Sequence, residues 1–211
     1  MQNRASILAA VFLLIVVASI TAQDHRHQRV SPQAYERPGR DAWQKPQEVV
    51  DALKLKPRDV VADIGAGSGY FTRRFASQVP EGIVYAVDID EKMLQHIHQY
   101  VEKTNQRNIV TVLSPANDPM LAPGSVDLIF ISNTYHHFTN RVDYNKRLAR
   151  ALRKGGRLVI VDYHKKQLPV GPPPDEKLAK EIVIKEISAA GFKLEQELTM
   201  LQHQYFLIFR K

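Results

Sequence analysis

The 211-residue chain has no cysteine, which excludes disulfides, thiolate zinc sites, iron–sulfur clusters and a cysteine nucleophile. Acids are the minority charge: 22 Asp and Glu stand against 29 Lys and Arg, so 29 − 22 gives +7. That balance permits an acidic partner without demanding one. Internal repeats are absent, and low complexity is confined to the two termini. A hydrophobic share of 44% excludes a wholly disordered chain, and the length suits one domain with a short appendage.

One long apolar run is present, between Ala5 and Ile20, interrupted only by Ser6 and Ser19. It follows the positive start Met1 to Arg4 and leads through Thr21-Ala22 into polar sequence. Positive end, apolar stretch and small-residue boundary are the order of a secretory signal peptide, with cleavage expected after Ala22. The alternative is an uncleaved anchor attaching the protein to a membrane through residues 5–20, a run shorter than the roughly 20 residues that span a bilayer comfortably. Residues 1–22 therefore predict an exported (periplasmic or secreted) or membrane-anchored protein, and a cytosol-facing domain stays open. Residues 23–42, with Pro32, Pro38 and Gly39, read as a polar linker or loosely packed arm ahead of a domain over 43–211.

That domain alternates strand-length apolar runs with helical spacing. Strands are expected at Asp59 to Ile64, Ile83 to Val87, Asn108 to Leu113, Val126 to Ile131 and Arg157 to Asp162. Helices are expected at Gln47 to Leu55, Tyr70 to Val79, Glu91 to Thr104, Val142 to Leu152 (stopped by Gly155-Gly156) and Asp175 to Ala190. Strands apolar on both faces imply a parallel sheet covered by helices on both sides. Phe192 to Leu201 and Tyr205 to Phe209 are separated only by Gln202-His203-Gln204. So short a gap permits a hairpin but no parallel crossover, and the last strand should run antiparallel. The expected fold is α/β, a doubly wound and mostly parallel seven-stranded sheet with an antiparallel C-terminal hairpin.

The chemistry gathers where the first strand ends. Asp63 is followed by Gly65, Gly67 and Gly69, and then a helix begins. Glycines let a backbone bend sharply and approach a ligand closely, and a helix N-terminus offers free N–H groups to an anion. Nineteen positions beyond Gly69 the second strand ends in Asp88, an acid placed to accept both hydrogen bonds of a ribose diol. A nicotinamide fingerprint requires a glycine where Tyr70 stands, so an oxidoreductase is disfavoured.

The order Asp63-Ile64-Gly65-Ala66-Gly67-Ser68-Gly69 instead resembles the first motif of class I S-adenosylmethionine-dependent methyltransferases, which have a Rossmann-like fold. The resemblance extends over about Asp59 to Lys211, through Val84-Tyr85-Ala86-Val87-Asp88-Ile89-Asp90, Asn117-Asp118, and the run from Leu148 to Leu158. It implies S-adenosyl-L-methionine as cofactor, with its methionine part cradled by Gly65, Gly67 and Gly69 and its ammonium held by Asp63. It also implies Asp88 on the ribose, Ile89 packed on adenine, Asn117 or Asp118 at the adenine amino group, and Asn133 beneath the transferring methyl. A protein of the same fold that binds the cofactor without turnover stays an open alternative.

A sulfonium methyl is already activated, so transfer is mostly positioning, aided by a base where the acceptor carries a proton. His136 and His137 are the candidate catalytic groups, although adjacent residues point in different directions and at most one should face the cofactor. Trp43, Tyr135, Tyr163 and His164 are candidates for contact with substrate, Trp43 as part of a lid. The lysines after the fifth strand, Lys165 and Lys166, suit an acidic substrate or simply a solvated loop. No metal site is expected. With little room for a substrate domain, a small-molecule acceptor is favoured. No basic run is interleaved with aromatics, so no nucleic-acid partner is expected.

Overall fold

Apolar runs too short for helices become the middle of a single sheet. In the computed structural model, which describes residues 31–211, the strands β1 (Val60–Ile64), β2 (Ile83–Asp88), β3 (Ile109–Leu113), β4 (Val126–Ser132) and β5 (Leu152–Tyr163) run parallel. They are followed by β6 (Lys193–Leu198) and β7 (Gln204–Arg210), and β7 is antiparallel to both of its neighbours. The order across the sheet is β3-β2-β1-β4-β5-β7-β6. The seven-stranded α/β architecture expected from the sequence, with its antiparallel C-terminal hairpin, is the one observed. The expectations for residues 1–22, including membrane attachment and export, lie outside the described residues. Among those described, no helix is long and apolar enough to cross a membrane.

Among the described residues six α-helices accompany the sheet: α1 (Arg40–Gln44), α2 (Pro46–Ala52), α3 (Thr72–Gln78), α4 (Glu91–Thr104), α5 (Arg141–Ala151) and α6 (Lys180–Ala189). Side chains alternate between faces along a strand, so Leu158 and Ile160 enter one core while Val159 and Val161 enter the other. The first core packs beneath α2, α3 and α4 through Val49, Phe75 and Ile97, and the second beneath α5 and α6 through Leu148, Val183 and Ile187. Burial on both faces is why these strands read as continuous apolar runs.

Three differences from the expectation stand out. α5 ends at Ala151, not at the glycine pair, because Leu152 turns extended (φ −72°, ψ 138°) and pairs with Val126. Gly155 and Gly156 lie inside β5, where the register with β4 shifts; they form an irregularity in the strand and do not stop the helix. α6 begins at Lys180, not Asp175: Pro174–Glu176 makes one 3₁₀ turn, after which Lys177 returns to extended backbone. Third, the stretch expected as a loose arm is docked. Residues Pro32–Glu36 form a 3₁₀ turn, and α1 places Gln44 fully out of solvent.

Phe130 stands at the centre of the first core, fully buried, with ring centroids 4.7 Å from Phe71 and 5.0 Å from Phe75. Phe130→Ala should lower stability by about 3–5 kcal/mol through lost transfer energy and the cavity left behind. Urea unfolding would read this as a fall in midpoint at unchanged slope; a loss below about 1 kcal/mol would contradict this packing.

Candidate active site

Strand order reverses beside β1, with β2 on one side and β4 on the other, and in such sheets ligands bind beyond the carboxyl ends at that reversal. There the chain leaves Ile64 and bends through Gly65, Gly67 and Gly69, at φ +72°, +53° and +81°. A Cβ on Gly65 would fall 2.3 Å from Thr134 Cγ2, so only glycine lets the bend pass the loop after β4. The bend is pinned to β2. Gly65 and Ala66 donate their N–H groups to the Val87 carbonyl at 2.8 and 3.1 Å.

Asp88 completes the clamp. Its Oδ2 accepts the Gly67 N–H at 2.7 Å and its Oδ1 the Asp90 N–H at 2.9 Å. Burial pushes the Asp88 carboxyl above the ordinary range, and these backbone donors pull it back. Ile89, half exposed, follows directly. Asp63 is buried deeper and accepts a hydrogen bond from Thr72 Oγ1 at 2.6 Å. Desolvation first, and the neighbouring Asp88 after it, raise its carboxyl to about 7, while Thr72 and Arg40 act in the opposite sense.

Arg40 was not singled out by sequence reasoning, nor were Tyr35 and Gln44. The Arg40 guanidinium lies 3.6 Å from the Tyr70 ring centroid, donates from Nη1 to the Tyr35 carbonyl at 2.5 Å, and from Nε to Gln44 Oε1 at 2.6 Å. Gln44 Nε2 in turn donates to Ser132 Oγ at 3.1 Å, across 88 positions of sequence. Tyr35 lies over the bend, its ring 3.9 Å from where a Gly67 Cβ would sit. The arm thus brings a cation to act on the buried Asp63.

The other predicted residues are spread around the ends of β4, β5 and β7. Asn133, at φ +54°, accepts on Oδ1 from Gln204 Nε2 at 2.5 Å. His136 Nδ1 lies 2.9 Å from both Asp162 oxygens, and the two side chains are only 3% and 2% exposed. With Asp162 ionised, Nδ1 carries the proton and Nε2 the lone pair. Asp162 was not predicted. His137 is exposed, its ring centroid 4.1 Å from that of His136. Trp43 packs on Tyr163 (6.0 Å) and His203 (6.4 Å), and the His164 ring lies 6.0 Å from Tyr205. Asn117 is exposed, and Asp118 forms an ion pair with Arg147 at 2.8 Å. Tyr135 corrects a prediction. It is fully buried in the second core, its hydroxyl accepting from Asn145 Nδ2 at 2.8 Å, and offers no surface to a substrate.

Residues 62–160 match the family model of a methyltransferase domain. Over that stretch, a little under half of its length, the chain is similar to methyltransferase domains. A solved S-adenosylmethionine-dependent methyltransferase from Aquifex aeolicus is 25% identical, with a TM-score of 0.81 over 85% of this chain and 96% of that one. The ubiquinone/menaquinone biosynthesis C-methyltransferase of Ectopseudomonas mendocina is 30% identical over 123 residues, 57% of this chain and 48% of that protein. The 27-O-demethylrifamycin SV methyltransferase of Amycolatopsis mediterranei is 27% identical over 131 residues, 62% and 48% respectively. The chain spans about half the length of these two curated relatives. The shared fold and the likeness to the Aquifex aeolicus enzyme imply S-adenosylmethionine as the cofactor of this site. Its donor set suits a zwitterionic amino acid joined to a nucleoside: two carboxylates, a guanidinium and a bend bare of side chains.

The raised carboxyl of Asp63 makes stability depend on pH. A buried acid whose pKa rises on folding holds a proton that the unfolded chain has released, so its contribution is complete below about 4 and lost as pH climbs through about 7. Without cofactor, the unfolding free energy should fall over that interval more steeply in the parent than in Asp63→Asn. Parallel urea-unfolding curves for the two proteins across the interval would refute the assignment.

Proposed function

We propose that the chain is an S-adenosylmethionine-dependent methyltransferase acting on a small-molecule acceptor. One observation carries the reading: Asp63, Asp88 and Arg40 converge around a glycine bend at the strand-order reversal. The chemistry of the three is complementary to an ammonium, a ribose diol and a carboxylate respectively. Gly65, Gly67 and Gly69 line the methionine side, Ile89 packs against adenine, and Asn117 or Asp118 addresses its amino group. Asn133 lies beneath the reacting end.

Bound there, S-adenosylmethionine supplies an activated methyl group for in-line transfer. The protein's own part is then mainly positioning and the handling of one proton. Asp162 orients His136 so that Nε2 can accept a proton from an acceptor hydroxyl or amine. His137 is the weaker candidate, being exposed. Trp43, Tyr163 and His164 form the acceptor side, and the docked arm (Tyr35, Arg40 and Gln44) keeps water from the bend. A small-molecule acceptor is supported by the small molecules named in the relatives. Export, or attachment through residues 5–20, belongs to the same proposal and rests on the sequence pattern alone.

Asp88→Ala should weaken S-adenosylmethionine binding by about 1–3 kcal/mol through lost charge-assisted hydrogen bonds. Calorimetry giving unchanged affinity for a folded variant would remove Asp88 from the site. In turnover assays on hydroxyl and amine acceptors, His136→Ala should lower kcat by about a hundredfold while leaving cofactor affinity in place. Equal kcat in variant and parent would remove the base, and tight cofactor binding with no turnover on any acceptor would favour a binding protein.

A further inference from the structure

We infer that the cavity between the end of β5 and the start of α6 is an oxyanion subsite, taking a carboxylate or phosphate group of the small-molecule acceptor. The occupant's identity rests on the methyltransfer reading; the anion chemistry does not. The cavity holds about 250 Å3 and is lined by His164, Lys165, Lys166, Lys180, Glu181 and Tyr205, with the Ala179 backbone closing it. It adjoins the proposed acceptor side, because His164 directly follows Tyr163, which packs on Trp43.

Independent features make it a site for negative charge. Three lysines face a single acid within it. Lys180 is engaged by Glu197 at 2.5 Å, whereas Lys165 and Lys166 form no ion pair among the described residues. The positive field is strong enough that Lys166 and Lys180 add to burial in lowering the His164 pKa. The first turn of α6 opens onto the same space. Ala179 at its N-cap provides no side-chain acceptor, and the Ala179 carbonyl takes the N–H groups of Ile182 and Val183, leaving those of Lys180 and Glu181 without a backbone partner. Free amides and the helix dipole both favour an anion there. A lysine in that first turn opposes the dipole, which a bound anion would offset.

The decisive group is Tyr205. It is 2% exposed, lines the cavity, and its buried hydroxyl has no hydrogen-bond partner among the described residues. An unpaired buried hydroxyl is costly, and an oxyanion is the acceptor it lacks. Burial raises the phenol's pKa, so the hydroxyl stays a donor throughout the neutral range. Amides, ammonium groups and a phenol line the cavity as donors, and the acids that act on the phenol are the buried Asp162 and the exposed Glu181.

The test titrates inorganic phosphate, and separately acetate, into the full chain at constant ionic strength set with chloride, followed by calorimetry. Saturable phosphate binding is expected, weakened about tenfold or more in Lys165→Gln/Lys166→Gln and about tenfold in Tyr205→Phe, with S-adenosylhomocysteine affinity unchanged in both. Acetate matching phosphate would assign the subsite to carboxylates, and phosphate alone to phosphoryl groups. A response no different from chloride, or equal phosphate affinity in parent and both variants, overturns the proposal. Once an acceptor is found, the lysine variant should raise KM for an anionic acceptor about tenfold at unchanged kcat; an unaltered KM overturns the assignment to the acceptor. Phosphate saturation without S-adenosylhomocysteine binding would sink the methyltransfer reading alone, whereas the reverse result would sink the subsite alone.

Discussion

The Asp88 carboxylate holds the site together. One oxygen takes an N–H from the glycine bend and the other an N–H from the turn that opens α4, so one side chain fixes two loops to the end of β2. Charge-assisted bonds of this kind are stronger than neutral ones, and they offset the desolvation of a nearly buried anion. The next acid repeats the device on a smaller scale. Asp90 accepts the Lys92 N–H at 2.9 Å and caps α4. Three consecutive residues, Asp88-Ile89-Asp90, therefore end a strand, present an apolar face and begin a helix.

A second acid in the same crevice creates a conflict that the N-terminal arm resolves. Asp63 is more deeply buried than Asp88 and is destabilised by it, so its ionisation lies near neutrality. Arg40 is the charge that moves Asp63 back toward the ionised form, and it reaches the crevice only because Tyr35, Gln44 and Tyr70 hold it in place. The arm thus has an electrostatic role as well as a covering one. A guanidinium suits that role because it stays charged when half-buried, where an ammonium titrates more readily.

The sheet, the glycine bend and the acid at the end of β2 were legible because their signals are local. Apolar runs of strand length, a glycine bend and an acid nineteen residues later all lie within one short span. What escaped is long-range. Gln44 meets Ser132, and Asn133 meets Gln204, through single hydrogen bonds spanning 88 and 71 positions. The pairing of His136 with Asp162 joins two strand ends that only the sheet order brings together. Tyr135 was misread because it neighbours the candidate histidines in sequence, yet a 3₁₀ turn rotates it into the second core. Gly155-Gly156 had the composition of a helix stop, but the pairing of Leu152 with Val126 ended the helix earlier.

This division has a physical consequence for the molecule. The glycine bend and the Asp88 clamp are built from β1, β2 and the turns after them, a contiguous stretch braced by backbone hydrogen bonds that side-chain changes leave intact. The ends of β4, β5 and β7, the loop after β5 and the first turn of α6 are joined mainly through side chains. Lys165, Lys166 and Lys180 can therefore be exchanged without touching the Asp88 clamp, since none bonds to it. Tyr163 is more constrained: a Cβ on Gly171 would lie 2.7 Å from its ring, so the loop after β5 folds tightly over it. The lysine cavity is thus free to vary in sequence, while Tyr163 beside it is held by packing.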